Sequence, residues 1–257
     1  MKLIFSLLLL FSLSAFSQKQ NDKVIIYHGD TINKKDAKGL KQGVWMKFYK
    51  TDNIYSKGQF KNDKPFGNFY GYFPNGKLLS KIVYDAKATR SSFYSYHENG
   101  KLKVSGNYVN QKKDSVWNYF YNNDTLSATE KYKAGLETGE WKIFYYSGKL
   151  AQVNTYANGK KNGFKLELFD SGKPKTESNY KNDKLNGYYK SYYSNGKIYQ
   201  EGPYKNNLKD GVWKLHNEDG TIKSETPFKN GVGDYAALEE ENPSWTPIAE
   251  PPADDKN

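Results

Sequence analysis

The chain repeats itself every 24 residues, eight times in succession, without an insertion or a deletion. Each unit opens on a small residue. The opening residues are Gly43, Gly67, Ser91, Ser115, Gly139, Gly163, Gly187 and Gly211. A fixed period of this length is typical of an array in which each unit contacts only its neighbours. The repeat therefore predicts an extended surface rather than a globular core, and it favours binding over catalysis.

Two columns of aromatic residues run through the units, and both are expected to hold the array together. The residues two positions after each opening residue are termed the lead rings, and those seventeen positions after it the closing rings. The lead rings are Trp45, Phe69, Phe93, Trp117, Trp141, Tyr189 and Trp213, with Lys165 as the one exception. The closing rings are Phe60, Tyr84, Tyr108, Tyr132, Tyr156, Tyr180, Tyr204 and Phe228.

Each unit also carries a turn signal at its ninth and tenth residues, between runs rich in aromatic and β-branched residues. The strongest pairs are Asn75-Gly76, Asn99-Gly100, Asn195-Gly196 and Asp219-Gly220. Such pairs favour two-residue type I′ hairpin turns because they tolerate positive φ. No unit shows a 3.6-residue period, so no helix is predicted. The predicted fold is all-β, an elongated single-layer antiparallel meander of eight 24-residue β-hairpins, joined by loops such as residues 61–66.

The turn position predicts which residues share a face of the sheet. With the turn at residues 51–52, Trp45 faces Gly58 and Tyr49 faces Ile54, and each lead ring should shield the residue it faces. The first face of the first unit then consists of Trp45, Tyr49, Ile54, Ser56, Gly58 and Phe60. The second face consists of Met46, Phe48, Tyr55, Lys57 and Gln59. The first face is the more apolar in every unit, so it is the expected packing face.

The second face carries an aromatic column of its own, and this column is the candidate binding surface. Its proposed members are Phe48, Tyr72, Tyr96, Phe120, Phe144 and Tyr192, while Leu168 and His216 fill the column in the other two units. Packing of these rings on one another is the simpler interpretation. Stacking on a sugar ring or contact with a partner is the functional one.

The ends of the chain differ from the repeats. Residues 1–17 combine Lys2, an apolar run and small residues before Gln18, which predicts a signal peptide cleaved after Ser17, with a membrane anchor as the alternative. The protein is then periplasmic or secreted. Residues 18–42 are interpreted as a degenerate capping unit, residues 43–231 as the repeats, and residues 232–257 as an acidic, proline-rich disordered tail. Trp245 has no role in this scheme, although an edge cover on the final hairpin is one option.

Composition limits the partners. The chain has no cysteine, which excludes disulfides and lipid attachment at a cleavage-site thiol. The net charge of +11 conceals a tail of −6, so residues 18–231 carry about +16 once Lys2 is removed with the leader. That charge suggests acidic partners, but Arg90 is the only arginine, and nucleic acid is therefore an unlikely target. Scattered lysines also protect strands from aggregation.

Catalysis has little support. His28, His97 and His216 have no metal-ligand spacing, and the last two fall in columns that are otherwise aromatic or apolar. Asp63, Asp183 and Asp210 lie at loop positions, where aspartate favours turns. We therefore predict a protein that is not an enzyme, with no catalytic residue, no metal and no cofactor.

The units resemble MORN repeats, most closely the variant form of bacterial proteins that carry an antitoxin-like family label. The glycine, the aromatic positions and the Asn-Gly-Lys turn of this motif are seen between Gly187 and Lys197 and from Gly211 to Trp213. Ser91, Ser115 and Lys165 depart from it. The resemblance covers residues 43–231 and implies a β-hairpin array with a role in protein association, scaffolding or membrane-lipid binding. The leading hypothesis is a scaffold that binds an unidentified envelope protein; binding of a cell-wall glycan or an anionic lipid surface is the alternative.

Overall fold

The computed structural model of the protein describes residues 25–234. The predicted signal peptide, its cleavage after Ser17, and the tail with Trp245 lie outside the described residues. All regular secondary structure within residues 25–234 is β-strand, and no helix occurs there. The all-β prediction is therefore confirmed.

The described residues form 23 strands, of which the longer ones come in pairs, one pair for each unit. They are β1 (Ile25–Tyr27), β2 (Asp30–Ile32), β3 (Lys34–Lys35), β4 (Lys41–Phe48), β5 (Ile54–Lys61), β6 (Lys64–Tyr72), β7 (Leu78–Tyr84), β8 (Arg90–Tyr96), β9 (Leu102–Val109), β10 (Lys112–Phe120), β11 (Leu126–Lys133), β12 (Leu136–Glu137), β13 (Gly139–Phe144), β14 (Leu150–Ala157), β15 (Lys160–Leu168), β16 (Pro174–Lys181), β17 (Lys184–Leu185), β18 (Gly187–Tyr192), β19 (Ile198–Lys205), β20 (Leu208–Lys209), β21 (Gly211–His216), β22 (Ile222–Lys229) and β23 (Val232–Gly233).

One long antiparallel meander contains β3 to β23. Its registers join strands that are consecutive in the chain or separated by a single two-residue strand. No register joins β3 to β23 within the described residues, so the sheet has two ends. β1 and β2 form a separate hairpin beside β4. The predicted meander of eight hairpins is confirmed.

The predicted pairing holds along most of each hairpin and fails at its tip. Trp45 faces Gly58, as expected, but Ile54 faces Phe48 and not Tyr49. The same shift recurs where Tyr72 faces Leu78. One extra residue on the second strand therefore forms a bulge before the tip.

The tip loop has three residues where a two-residue type I′ turn was predicted. In the second unit the N–H of Phe73 donates to Lys77 O at 2.8 Å, and the N–H of Gly76 donates to Phe73 O at 2.9 Å. Gly76 has φ 81°, whereas Asn75 does not have positive φ. A type I turn followed by one left-handed residue explains this geometry, because that position also favours glycine, although Asp52 and Asp124 occupy it in two other units.

Type I′ turns do occur, but between the units. Asn62 and Asp63 have φ of 51° and 62° and alone separate β5 from β6, so the predicted loop over residues 61–66 is wrong. Asp63 also accepts a hydrogen bond from the N–H of Lys41 at 2.8 Å. The same paired positive φ values recur at Asn110-Gln111, Ala134-Gly135, Asn158-Gly159, Asn182-Asp183, Asn206-Asn207 and Asn230-Gly231.

The opening glycine creates a bulge that tilts the lead ring onto the preceding unit. Gly67 has φ 67°, and residues 67–69 together face Gly58 alone. The ring of Phe69 therefore lies over Gly58, where an added Cβ would come within 2.1 Å of it. Trp117 lies over Gly106 in the same way. The shielding ring thus comes from the following unit, not from the paired residue, which corrects the expected arrangement.

The rings of the first face form the core of the sheet. The ring centroids of Phe60 and Phe69 are 5.2 Å apart, and those of Tyr108 and Trp117 are 4.9 Å apart. Each of these contacts crosses the boundary between two units. Trp117 is only 2% exposed. The column is interrupted at Lys165, whose ammonium group pairs instead with Glu167 at 2.5 Å.

A second set of links joins the tip loops. The hydroxyl of Tyr145 donates to Leu168 O, 23 residues later, at 2.6 Å. The equivalent hydroxyls of Tyr49, Tyr121 and Tyr193 do the same. His97 takes the place of a tyrosine here, with Nε2 3.0 Å from Phe120 O. The histidine is thus a structural replacement in an aromatic column, as predicted.

Substitution at the opening position should change stability in opposite directions in two units. No atom lies within 4 Å of the Cβ position of Gly67, so Gly67→Ala tests the backbone alone. We expect the free energy of unfolding to fall by about 1–2 kcal/mol, because the left-handed region is costly for alanine. Ser115 already occupies the left-handed region at φ 64°. Because glycine adopts this conformation without steric cost, Ser115→Gly should raise the free energy of unfolding by up to about 1 kcal/mol. Urea unfolding measures both, and a destabilising Ser115→Gly would contradict this explanation.

The tip-loop hydrogen bonds can be tested with neighbouring tyrosines. Tyr145→Phe removes the bond to Leu168 O and should cost about 0.5–1.5 kcal/mol of unfolding free energy. Tyr146→Phe is the matched control, because the exposed Tyr146 donates only to the exposed side chain of Asn122 at 3.1 Å. The control should change stability by less than about 0.5 kcal/mol. Equal effects of the two substitutions in thermal or urea unfolding would argue against a structural role for the hydroxyl column.

Candidate functional site

All six residues of the predicted aromatic column are half-buried. The ring centroid of Phe48 lies 5.4 Å from that of Tyr27 in the N-terminal hairpin, and the ring centroid of Tyr72 lies 6.4 Å from that of Tyr70. Tyr96 borders a shallow depression of about 330 Å³. Among the described residues no ring contact joins successive members of the column, which lie about 10 Å apart because two strands separate them. The rings are therefore presented singly and not as a stack.

Tyr192 is the member of the column with the most polar surroundings. Burial and a hydrogen bond to Glu177 raise the pKa of its hydroxyl to about 12. Its hydroxyl is therefore a neutral donor at physiological pH, held by a carboxylate on the neighbouring strand.

The structure exposes a second apolar row on this face that sequence reasoning missed. Phe164, Tyr188 and Val212 are 43%, 46% and 48% exposed. They occupy the same position in three consecutive units, one residue after the opening glycine. Alternation along the strand places this position on the second face. In the other units the position holds Val44, Asn68, Ser92, Val116 and Glu140, of which Val116 is also exposed at 46%, so exposed apolar residues follow one another only in the last three units.

Charged side chains surround this row. Glu201 lies 3.7 Å from Lys190 Nζ and 3.4 Å from His216 Nε2, and it also hydrogen-bonds to Tyr188. Lys214 pairs with Glu225 at 3.0 Å. We define the C-terminal patch as the surface that joins the exposed row to these charged groups. It consists of Phe164, Tyr188, Lys190, Tyr192, Glu201, Val212 and Lys214.

The described part of the chain offers no candidate metal site. No group of three or more His, Asp or Glu residues could hold a metal ion within residues 25–234. An open depression of about 650 Å³ between two connecting turns is lined by lysines and amides, including Lys181, Lys184 and Asn206. Asp183 serves as a turn residue by accepting the N–H of Lys161 at 2.8 Å, as predicted for the loop aspartates.

The comparison with protein families agrees with this geometry. A family model described as MORN repeat variant matches residues 41–62, 67–86, 92–110, 137–158, 185–206 and 209–230. The chain is a MORN-repeat protein. The matches omit the unit that opens at Ser115 and the unit that opens at Gly163, whose lead ring is replaced by Lys165. The unit that opens at Ser91 also lacks the glycine but is matched. A search of curated proteins finds no significant match.

A cluster of polar groups on the first face of the MORN array is satisfied by contacts within the sheet. Tyr119 and Tyr132 donate to Glu130 at 2.6 and 2.8 Å, and Lys113 Nζ donates to Tyr119 at 2.7 Å beside the ring of Trp117. Burial lowers the pKa of Lys113, although Glu130 opposes the shift. Every donor in this cluster has an acceptor, so its role is to satisfy polar groups within the ring column.

The described part of the MORN-repeat chain contains no helix with the length and apolar character that a membrane span requires.

Buried tyrosines on the first face of the MORN array should make it sensitive to alkali. Burial, and next Glu130, raise the pKa of Tyr119 and Tyr132 far above the ordinary value. Above about pH 10 the unfolded chain loses these protons while the folded chain keeps them, so unfolding free energy should fall as the pH rises beyond 10. Tyrosinate absorbance should show a group of tyrosines that ionise late.

Tyr119→Phe tests this assignment. Above pH 10 the substitution should make the free energy of unfolding fall less steeply with pH. The slope should change by up to about 1.4 kcal/mol per pH unit, which is the contribution of a single proton. Ionisation of all tyrosines in a single step near pH 10, with the circular dichroism of the folded chain unchanged, would contradict the prediction.

Proposed function

We propose that the protein is an exported, non-enzymatic scaffold of the cell envelope that binds a partner protein through the C-terminal patch. MORN repeats are generally binding modules for proteins or membranes. The observation that carries the proposal is the row of Phe164, Tyr188 and Val212, exposed at equal intervals on three consecutive units. Export is supported by the predicted leader over residues 1–17.

The chemistry of the patch suits a protein surface. Exposed apolar rings and a valine lie among paired charges, which resembles the mixture of aromatic and polar groups at protein interfaces. The ion pairs of Lys190 with Glu201 and of Lys214 with Glu225 fix these long side chains beside the apolar row, where Lys190 Nζ lies 5.8 Å from the ring centroid of Tyr188. The sheet beneath is fixed by the ring column on its other face, so the partner meets a preorganised surface.

Lysine substitutions in the patch test this proposal. The mature chain, residues 18–257, serves as bait in envelope extract at about 0.15 M salt, where long-range charge attraction is screened. Phe164→Lys and Val212→Lys should each lower recovery of the specific partner at least tenfold, because each buries a charge in the apolar part of the interface (about 1.4 kcal/mol per tenfold). Ile143→Lys is the matched control, since Ile143 is 41% exposed on the first face.

The control should leave recovery unchanged, and circular dichroism should show that all variants are folded. Equal recovery by wild type and both patch variants would remove the patch as the binding surface. Binding that disappears with salt alone, and that no patch variant changes, would indicate only charge attraction.

A second candidate is binding of a cell-wall glycan or an anionic lipid surface. It is favoured by the half-exposed rings of the original column, which lie singly about 10 Å apart on a chain rich in lysine. Co-sedimentation with purified wall material and liposome flotation with and without anionic lipid test it. Tyr96→Ala and Tyr192→Ala should weaken glycan binding, whereas lipid binding should depend on anionic lipid and follow the lysines.

A further inference from the structure

The open depression of about 650 Å³ lies at the edge of the sheet, between the connecting turns Asn182-Asp183 and Asn206-Asn207. Two hydrogen bonds tie the second turn to β17, the strand that follows the first. Asn207 Oδ1 accepts the N–H of Leu185 at 2.6 Å, and the N–H of Asn207 donates to Leu185 O at 2.9 Å. The walls are therefore held in place without a ligand. A volume of this size is typical of small-molecule sites.

Three lysines of the depression carry charge that no ion pair neutralises. They are Lys181, Lys184 and Lys205. Lys181 directly faces Lys184 in the register of β16 with β17, and like charges in this position repel each other. Within residues 25–234 none of the three lysines forms an ion pair with a carboxylate. An anion held between these lysines would relieve the repulsion.

The carboxylates near the depression are already engaged with backbone donors. Asp183 Oδ1 accepts the N–H of Lys161 at 2.8 Å. Asp210, which also lines the depression, accepts the N–H of Asn230 at 3.3 Å through Oδ2. Each carboxylate thus stabilises a neighbouring turn, and the three lysines remain available to a ligand.

Three asparagines add uncharged hydrogen-bonding groups to the same walls. They are Asn182, Asn186 and Asn206. None of their side chains hydrogen-bonds to another group in the described part of the chain. Each amide offers two N–H donors and one carbonyl acceptor. The depression therefore combines positive charge with groups that can bind hydroxyls.

The first connecting turn shows that this availability is particular to the depression. There the side chain of Gln42 donates to Asn62 Oδ1 at 2.6 Å and accepts the N–H of Asn62 at 3.2 Å. Asn186 occupies the position of Gln42 relative to Asn206, 20 residues before it. No hydrogen bond joins Asn186 to Asn206 within residues 25–234, so the polar groups of this turn stay open to solvent.

The mixture of groups favours an acidic sugar over a phosphate. Planar arginine forks are the groups best matched to phosphate, and the depression contains no arginine. Lysine ammonium groups suit a single carboxylate, and the amides suit the hydroxyls of a sugar ring. Tyr204 also lines the depression, and its hydroxyl has no hydrogen-bond partner among the described residues.

We propose that this depression binds a hexuronate residue of an acidic glycan. The carboxylate of the sugar lies between Lys181 and Lys184, and its hydroxyls bond to Asn186 and Asn206. The site shares no residue with the C-terminal patch or with the aromatic column, so it is independent of the proposed function.

Isothermal titration calorimetry with trigalacturonate tests the proposal on the mature chain, residues 18–257. At about 0.15 M salt, where long-range attraction is screened, trigalacturonate should bind. Its fully methyl-esterified form should bind at least tenfold more weakly, because it lacks the carboxylates. Lys184→Gln and Asn186→Asp should each weaken binding of the acid at least tenfold. The fold should tolerate Asn186→Asp, because Asp114 has the equivalent position and accepts the N–H of Ala134 at 3.0 Å.

Lys64→Gln is the matched control. Lys64 faces Lys61 across the first connecting turn as Lys184 faces Lys181, but Gln42 occupies the amide of Asn62 there. The control should bind trigalacturonate as the wild type does. Circular dichroism should show that every variant is folded.

Four results would overturn the proposal. Absence of trigalacturonate binding, or equal binding of the acid and its methyl ester, would remove the hexuronate as the ligand. Equal losses in Lys64→Gln and Lys184→Gln would show general charge attraction. Displacement of trigalacturonate by an equal concentration of inorganic phosphate would show a site for any anion. Flotation with anionic vesicles that Lys184→Gln abolishes, without trigalacturonate binding, would assign the depression to a lipid headgroup.

The same variants separate this proposal from the proposed function. Lys184→Gln and Asn186→Asp leave the C-terminal patch unchanged, so each should recover the partner protein from envelope extract as the wild type does. Loss of trigalacturonate binding with normal partner recovery would support two separate sites. Loss of partner recovery in both variants would overturn the independence of the depression.

Discussion

The structure depends on one recurring contact: Phe69, Trp117 and Trp213 each lie across a backbone glycine of the unit before. A sheet without a second layer has no other way to keep its packing face from water. The contact requires both a bulge at the opening residue, as at Gly67, and a small residue beneath the ring, as at Gly58 or Gly106. It links only adjacent units, so stability is distributed along the array.

The links at the two edges explain how the array tolerates a missing ring. In the sixth unit Lys165 replaces the lead ring and pairs with Glu167. Burial alone would raise the pKa of Glu167, but the ammonium group of Lys165 and the hydrogen bond from Thr176 have the larger effect and hold that pKa below its usual range. At the same unit the tip loops remain joined by the Tyr145 hydroxyl, and the connecting turns by Asp183. A polar pair can therefore replace the ring locally, because hydrogen bonds at both edges keep the unit in register.

The period and the alternation of side chains were sufficient to predict the meander, the face of the ring column and the pairing of Trp45 with Gly58. The turns were not predictable from their residues, because Asn75-Gly76 suits a type I turn with a left-handed glycine as well as a type I′ turn. Asn62-Asp63, a true type I′ pair, was hidden among lysines and beside Pro65. The exposed row was missed because Phe164, Tyr188 and Val212 share their column with polar residues such as Asn68 and Glu140, so their exposure is visible only in the folded structure.

The two faces of the sheet have different roles, and this difference affects binding. The first face must keep its rings, whereas a column on the second face can change its chemistry without loss of the fold. One such column is lysine at Lys57 and Lys81 but glutamate at Glu177 and Glu201. Since successive units present equivalent positions about 10 Å apart, the order of residues down a column sets the pattern that a partner meets. The run of three exposed apolar residues with its flanking charges lies in the C-terminal units, and the other units extend the scaffold that holds it.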